Sequence, residues 1–192
     1  MAPNRITPPR FVRPALLLVL VLAALAPVGC GGEGSGPTTA GPDPSGDLEL
    51  MNELLTRQTA AVAAYGEVLP ALRGASLATA RKFRGQEQEH VDATLKALRG
   101  LGGRAEPGDE TIEVPALPHP ADALLFLYAM ESATIDFEVN EVTKLSGDWP
   151  RGLVTTMAAN QAQRLVLIRR GLGARPLQTV PSAFEGGTTP AP

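Results

Sequence analysis

The sequence predicts an all-α fold: four helices in one bundle, arranged as two antiparallel hairpins joined by a single long crossover. Three observations carry this expectation. Apolar residues recur at helical spacing in four separate stretches between positions 47 and 170. The links at 70–75 and 147–150 are short enough to join only antiparallel neighbours, whereas positions 100–119, rich in Gly, Pro and acids, can run the length of a helix. Strand signals are confined to Thr111-Ile112-Glu113-Val114, too short to found a sheet.

The first helix is expected over 47–69, with Asp47 as its N-cap and Pro70 as its stop. Met51, Leu54, Leu55, Val62, Tyr65 and Leu69 form its buried stripe. Ser76 can cap a second helix, 76–99, whose stripe is Leu77, Ala80, Phe83, Thr94 and Leu98. Pro120 suits the first turn of a third helix reaching 145, and Gly147-Asp148-Trp149-Pro150 reads as a tight turn. The fourth helix is expected over 151–170. Arg99-Gly100-Leu101-Gly102 and Arg170-Gly171-Leu172-Gly173 then close the second and fourth helices alike, an internal echo of two related halves.

The ends carry a different signal. Residues 1–29 have the form of an export signal: Arg5, Arg10 and Arg13 without an acid, then a purely apolar run of 12 residues from Ala15 to Ala26. That run is too short for a permanent membrane span. Ala24-Leu25-Ala26 has the small-x-small form of an ordinary cleavage site, but Pro27 would follow the cut. Pro27-Val28-Gly29-Cys30 resembles a bacterial lipobox, with Pro27 where Leu is usual and Cys30 as the acylated residue. Cys30 is the single cysteine, so it has no disulfide partner within the chain, which favours the lipoprotein reading. Residues 30–46 are expected to be a flexible tether of Gly, Pro, Ser and Thr, reaching about 20–25 Å. The bundle is expected over 47–184, with a disordered tail at 185–192. Loss of residues 1–29 removes three arginines and no acid, which takes the net charge from −3 to −6. With no basic cluster on the chain, nucleic acid is not an expected partner.

Each apolar stripe passes through polar residues at mid-helix. These are Gln58 on the first helix, Glu87 and His90 on the second, Glu131 with Glu138 two turns on along the third, and Gln161 and Arg164 on the fourth. All four helices therefore send polar groups into one layer. A buried carboxylate is costly unless metal, cation or hydrogen bonds compensate it. His119, in a Pro-rich stretch, reads as a surface or capping residue. No ordered nucleophile signature surrounds Ser76, Ser132, Ser146 or Ser182. Gly100-Leu101-Gly102-Gly103 follows a helix, not a strand, which argues against a phosphate loop. Trp149 beside Pro150 reads as hairpin packing.

On these residues the chain resembles the ferritin-like superfamily, especially its exported bacterial members. The resemblance spans about 47–184 and rests on Gln58-x3-Val62-x2-Tyr65, Gln86-Glu87-x-x-His90, Glu131-x3-Ile135, the Gly-Leu-Gly caps and Pro181-x-x-Phe184-Glu185. It implies a dimetal site held by a Glu on helix 1, Glu and His on helix 2, a Glu on helix 3, and Glu and His on helix 4. By position, Glu87, His90 and Glu131 match. The other three places are taken by Gln58, Gln161 and Arg164. Two metals bring about +4 of charge, and two carboxylates with an arginine cannot balance it. Arg164 is expected instead to fill the metal space and bridge Glu87 or Glu131, with Gln58 and Gln161 completing the hydrogen bonds.

The resulting expectation is a membrane-tethered envelope lipoprotein, held to the outer face of the membrane by lipid on Cys30. Its ferritin-like domain would serve a binding or structural role toward an envelope protein, without catalysis and without a cofactor. The alternative is an iron- or zinc-binding, or oxidoreductase, ferritin-like protein using Glu87, His90 and Glu131.

Overall fold

The computed structural model describes residues 43–176 and Thr179. The segments expected to be a signal peptide (1–29) and a tail (185–192), with Cys30 and most of the expected tether, lie outside the described residues. Four helices build the fold: α1 (Pro44–Val68), α2 (Gly74–Gly100), α3 (Pro120–Val142) and α4 (Asp148–Gly171), with a 3-10 turn at Leu69–Ala71 after α1. No strand occurs among the described residues. No helix among them is long and apolar enough to cross a membrane.

The starts of α1, α2 and α4 and the end of α3 differ from the sequence expectation. The cap of α1 is Asp43, whose carboxylate accepts from the Ser45 and Gly46 N–H groups, both at 3.2 Å. Residues 44–46 therefore belong to the bundle and not to the tether; Pro44 occupies the first turn, where its missing N–H costs nothing. Asp47, expected as the cap, is instead buried and reaches across the molecule. It accepts from the Ser146 N–H (2.6 Å), the Gly147 N–H (3.0 Å) and the Ser146 hydroxyl (3.1 Å). Of the expected turn at 147–150, residues 148–150 are helix: Gly147 is the extended cap residue and α4 starts at Asp148, with Pro150 inside its first turn. The chain reverses earlier, between Val142 and Asp148, and Leu145 in that reversal is buried. At α2 the start is Gly74, two residues before Ser76.

The two closures of α2 and α4 are alike in detail. Gly103 N–H donates to Leu98 O (2.9 Å) and Gly102 N–H to Arg99 O (3.1 Å); Ala174 N–H donates to Arg169 O (3.0 Å) and Gly173 N–H to Arg170 O (3.0 Å). This is the paired bonding of a Schellman motif, which needs one left-handed residue. Gly102 (φ +77) and Gly173 (φ +88) supply it. At the start of α3, His119 is the cap residue, and its N–H donates to Asp122 at 2.9 Å.

Both hairpins pack tightly, α1 on α2 and α3 on α4; α1 also touches α3, and α2 touches α4. The Asp47 clamp sets the start of α1 beside the α3–α4 turn. The end of α4 lies beside the starts of α2 and α3, where Gly171, Ser76 and Leu124 share a cleft. Neighbouring helices are thus antiparallel throughout, and α2 and α3 run the same way. The 101–119 segment makes that possible by travelling alongside α1. Asn52 holds it at both amide atoms, donating to Arg104 O (3.3 Å) and accepting from Glu106 N–H (2.7 Å). Further on, Gly108 N–H donates to Thr56 Oγ1 (2.7 Å), and Ile112, Val114 and Leu117 pack on the core. Side chains of α1 satisfy backbone groups that a strand partner would otherwise have to meet.

The apolar core is split in two. One cluster, around Val68, Leu72, Phe83, Leu124, Leu127, Leu165 and Ile168, fills the α2-start end. Another, around Met51, Leu54, Leu55, Leu98, Leu145 and Val154, fills the opposite end. Between them lies the polar layer.

Candidate functional site

Helical periodicity places the polar residues in tiers. Tyr65, Glu87, Glu131 and Arg164 meet in one tier. Gln58, Thr94, Glu138 and Met157 stand seven residues away along their respective helices, about 10 Å further down the bundle. His90 and Gln161 sit on the turn between. Glu87, Glu131, Glu138, Gln58, Gln161 and Arg164 are each no more than 2 % exposed.

Arg164 is the hub of the first tier. Its Nη1 donates to Glu87 Oε2 at 2.7 Å and to Glu131 Oε1 at 3.0 Å, and its Nη2 donates to Asn160 Oδ1 at 3.0 Å, one turn back on α4. The guanidinium carbon lies 5.7 Å from the centre of the Phe83 ring. Tyr65 Oη donates to the same Glu131 oxygen. One cation from α4 thus ties α2 to α3, and a phenol from α1 completes a junction of all four helices.

The electrostatics follow from burial and this cation. Burial alone raises a carboxylic acid pKa, but at Glu87 the nearby His90 and Arg164 overcome it, so its carboxyl is held below the usual value. At Glu131 burial wins, and the repulsion of Glu87 adds to it, so this carboxyl is raised despite Arg164 and Tyr65. Burial and the Glu131 carboxylate push the Tyr65 phenol well above its ordinary value. For Arg164, burial is outweighed by the two carboxylates, and its charge is locked in place.

The second tier is built differently. Thr94 Oγ1 donates to Gln58 Oε1 at 2.8 Å, and the Gln58 amide donates to Met157 Sδ at 3.3 Å. Glu138 has no hydrogen-bond partner for either oxygen among the described residues, and its carboxyl is pushed up to about 9 by burial and by Glu87 and Glu131. At that value it carries its proton at neutral pH.

The structure brings together Glu87, Glu131 and Arg164, as the sequence reading anticipated. It does not give Gln58 and Gln161 the role of completing the arginine's hydrogen bonds. Gln58 is one tier away, engaged by Thr94 and Met157; Gln161 is buried with both amide atoms unpartnered among the described residues. The physical reason is helical phase: Asn160, four residues before Arg164, lies under the guanidinium, and Gln161 points a step around α4. His90 Nδ1 approaches Glu87 Oε2 at 3.5 Å, too long for a firm hydrogen bond. Tyr65 and Thr94 read in sequence as ordinary members of apolar stripes. Their seven-residue spacing from Gln58 and Glu87 is the signal that places them in the polar tiers.

Among the described residues no group of three His, Cys, Asp or Glu side chains is arranged to hold a metal ion. Glu87 and His90 adjoin on α2, but Arg164 stands between them and Glu131. The donors present do not fit a dimetal centre: two carboxylates already accept from a guanidinium, and a third, Glu138, is held neutral.

No family model matches the chain, and no curated protein does. Among solved structures it is similar to a conserved hypothetical protein, Rv2844, from Mycobacterium tuberculosis, with a TM-score of 0.61 and 20 % identity. The match covers 73 % of this chain and 98 % of that one. At that identity the likeness is one of fold.

Proposed function

We propose that the protein is an exported, lipid-anchored cell-envelope protein of ferritin-like descent, in which an arginine–carboxylate junction stands where the superfamily holds two metals. The domain then acts by binding a partner or by scaffolding, without catalysis. The observation that carries this reading is the Nη1 of Arg164 donating to Glu87 (2.7 Å) and Glu131 (3.0 Å) at the centre of the bundle. A guanidinium has no lone pair to offer a metal, and here it meets the charge of the carboxylates a metal would need. The export and lipid readings rest on residues 1–30 of the sequence.

A second reading, weak binding of one iron or zinc ion through Glu87, His90 and Glu131, is favoured by Glu87 Oε1, Glu131 Oε2 and His90 Nδ1, which lack hydrogen-bond partners among the described residues. Elemental analysis of the purified chain after anaerobic loading with Fe(II), and separately with Zn(II), separates the two. No retained metal supports the junction reading; one ion per chain, lost on Glu87→Gln, supports the second; two ions per chain would overturn both. Fractionation of cells expressing the full sequence tests the anchor: membrane association that Cys30→Ser abolishes is the expected result.

A further inference from the structure

Two hollows meet between α2 and α4 and differ in chemistry. The outer one, about 370 Å³, is walled by the small side chains Ala75, Ser76 and Thr79 and floored by the core residues Phe83, Leu124, Leu127 and Ile168. The inner one, about 360 Å³, is lined by Lys82, Gln86, Asn160, Gln163 and Arg164. Thr79, Phe83 and Leu167 border both, so the two form one groove. From Ala75 to Gln86 it follows α2 for about 16 Å. Each hollow falls in the size range of small-molecule sites, roughly 300–1,000 Å³. An apolar trough that leads into a cluster of N–H donors is the layout that receives an amphiphile.

The charge of the groove sets the charge of its ligand. Among the described residues that line either hollow there is no acid, and three are cations: Lys82, Arg164 and Arg170. Two of these are already answered. Arg164 donates to Glu87 and Glu131, and Arg170 stands in the last turn of α4, where the helix dipole favours a cation. Lys82 is not answered. It is exposed at mid-helix, its neighbours three and four places away are Ala78, Thr79, Gly85 and Gln86, and it makes no ion pair among the described residues. Arg164, only 1 % exposed, also keeps its Nε without a hydrogen-bond partner among the described residues. One unmatched positive charge beside amide donors calls for a single negative charge, a carboxylate and not a phosphate dianion.

We propose that the α2–α4 groove is a binding site for a single-chain amphiphile with a carboxylate head, a fatty acid in chemical class. The carboxylate lies in the inner hollow against Lys82, within reach of the Asn160 amide, whose oxygen is already held by Arg164. The acyl chain runs outward over Phe83, Leu127 and Ile168, with Leu167, 47 % exposed, along its flank. Covering apolar surface that α2 and α4 leave open drives binding, and the carboxylate gives it direction. The site depends neither on lipid at Cys30 nor on what fills the layer between the core clusters.

Calorimetric titration of monomeric dodecanoate into the mature chain carrying Cys30→Ser tests this. Dodecyltrimethylammonium, with the same alkyl chain and the opposite charge, is the comparison. One dodecanoate per chain is expected, with the cationic amphiphile bound at least about tenfold more weakly. Lys82→Glu, an exposed change that leaves the core alone, should weaken dodecanoate by about tenfold and bring the two affinities together. Thr79→Trp fills the point where the hollows meet and should abolish both; thermal melting checks that it folds, and Leu167→Asp replaces it if it does not. No dodecanoate binding, equal affinity for the two amphiphiles, or binding that survives both Lys82→Glu and a folded groove-blocking variant would overturn the proposal. So would a dimer in sedimentation that the groove-blocking variant dissociates, since a second copy would then occupy the groove.

Discussion

Arg164 of α4 donates to Glu87 of α2 at 2.7 Å between positions 77 apart in sequence, and neither side chain is more than 2 % exposed. The pair owes its place to burial on all sides and its tolerance to Glu131, which accepts from the same nitrogen. Ion pairs of this kind stabilise little when intact, because desolvation offsets attraction, but breaking one strands a charge in the core.

Removing the cation should therefore be severe. Arg164→Met leaves Glu87 and Glu131 facing each other without compensation, and a loss of about 3–5 kcal/mol in denaturant unfolding is expected. Replacing the whole junction, with Glu87→Leu, Glu131→Leu and Tyr65→Phe added to Arg164→Met, should recover most of that loss. A single variant as stable as the wild type would show that Arg164 is not the compensating charge.

Glu138 predicts a pH dependence with a definite sign. The folded chain keeps this proton up to about pH 9, whereas the unfolded chain releases it near the ordinary value of 4.5. Between those limits the folded state binds the extra proton, so stability falls as pH rises, by up to about 1.4 kcal/mol per unit from this group. Glu138→Gln, which stays neutral, should flatten the decline and be more stable than wild type at pH 8. Thermal melting across pH 5–9 measures both. Parallel curves for the two proteins would remove Glu138 as the cause.

Asp47 fastens the first turn of α1 to the α3–α4 reversal through three hydrogen bonds. Asp47→Ala leaves the Ser146 and Gly147 N–H groups without their acceptor and should cost about 2–3 kcal/mol. Hydrogen exchange should quicken first at Ser146 and Gly147. Unchanged exchange there would contradict the clamp.

Gly102 and Gly173 adopt φ of +77 and +88. Alanine at either should cost about 1–2 kcal/mol, and the double variant should show their sum, because they close separate helices. A free energy unchanged by Gly102→Ala would mean that the left-handed closure of α2 is dispensable.

Most of the architecture was legible from apolar spacing and link lengths, since both follow directly from helix geometry. Asp43, Asp47 and Pro150 were not. Asp43 and Pro44 share their composition with a linker, Asp47 spends its carboxylate on a turn 99 positions away, and Pro150 sits where a helix tolerates a missing N–H. At the site, the meeting of Arg164 with Glu87 and Glu131 was legible, because charge in a buried layer must be matched. The partners of Gln58 and Gln161 were not, because which neighbour an amide faces depends on a rotation of a few tens of degrees about the helix axis.

The proposed function holds that Gln58, Gln161 and Arg164 stand where a metal-type layer would have its ligands, leaving a layer that neutralises itself. It is tested most directly by calorimetric titration of Co(II) into the wild-type chain and into the Gln58→Glu, Gln161→Glu, Arg164→His variant. The account predicts no binding to the wild type and about two ions per chain for the variant, the number of a ferritin-like dimetal site. Binding of two ions by the wild type, or none by a folded variant, would contradict it.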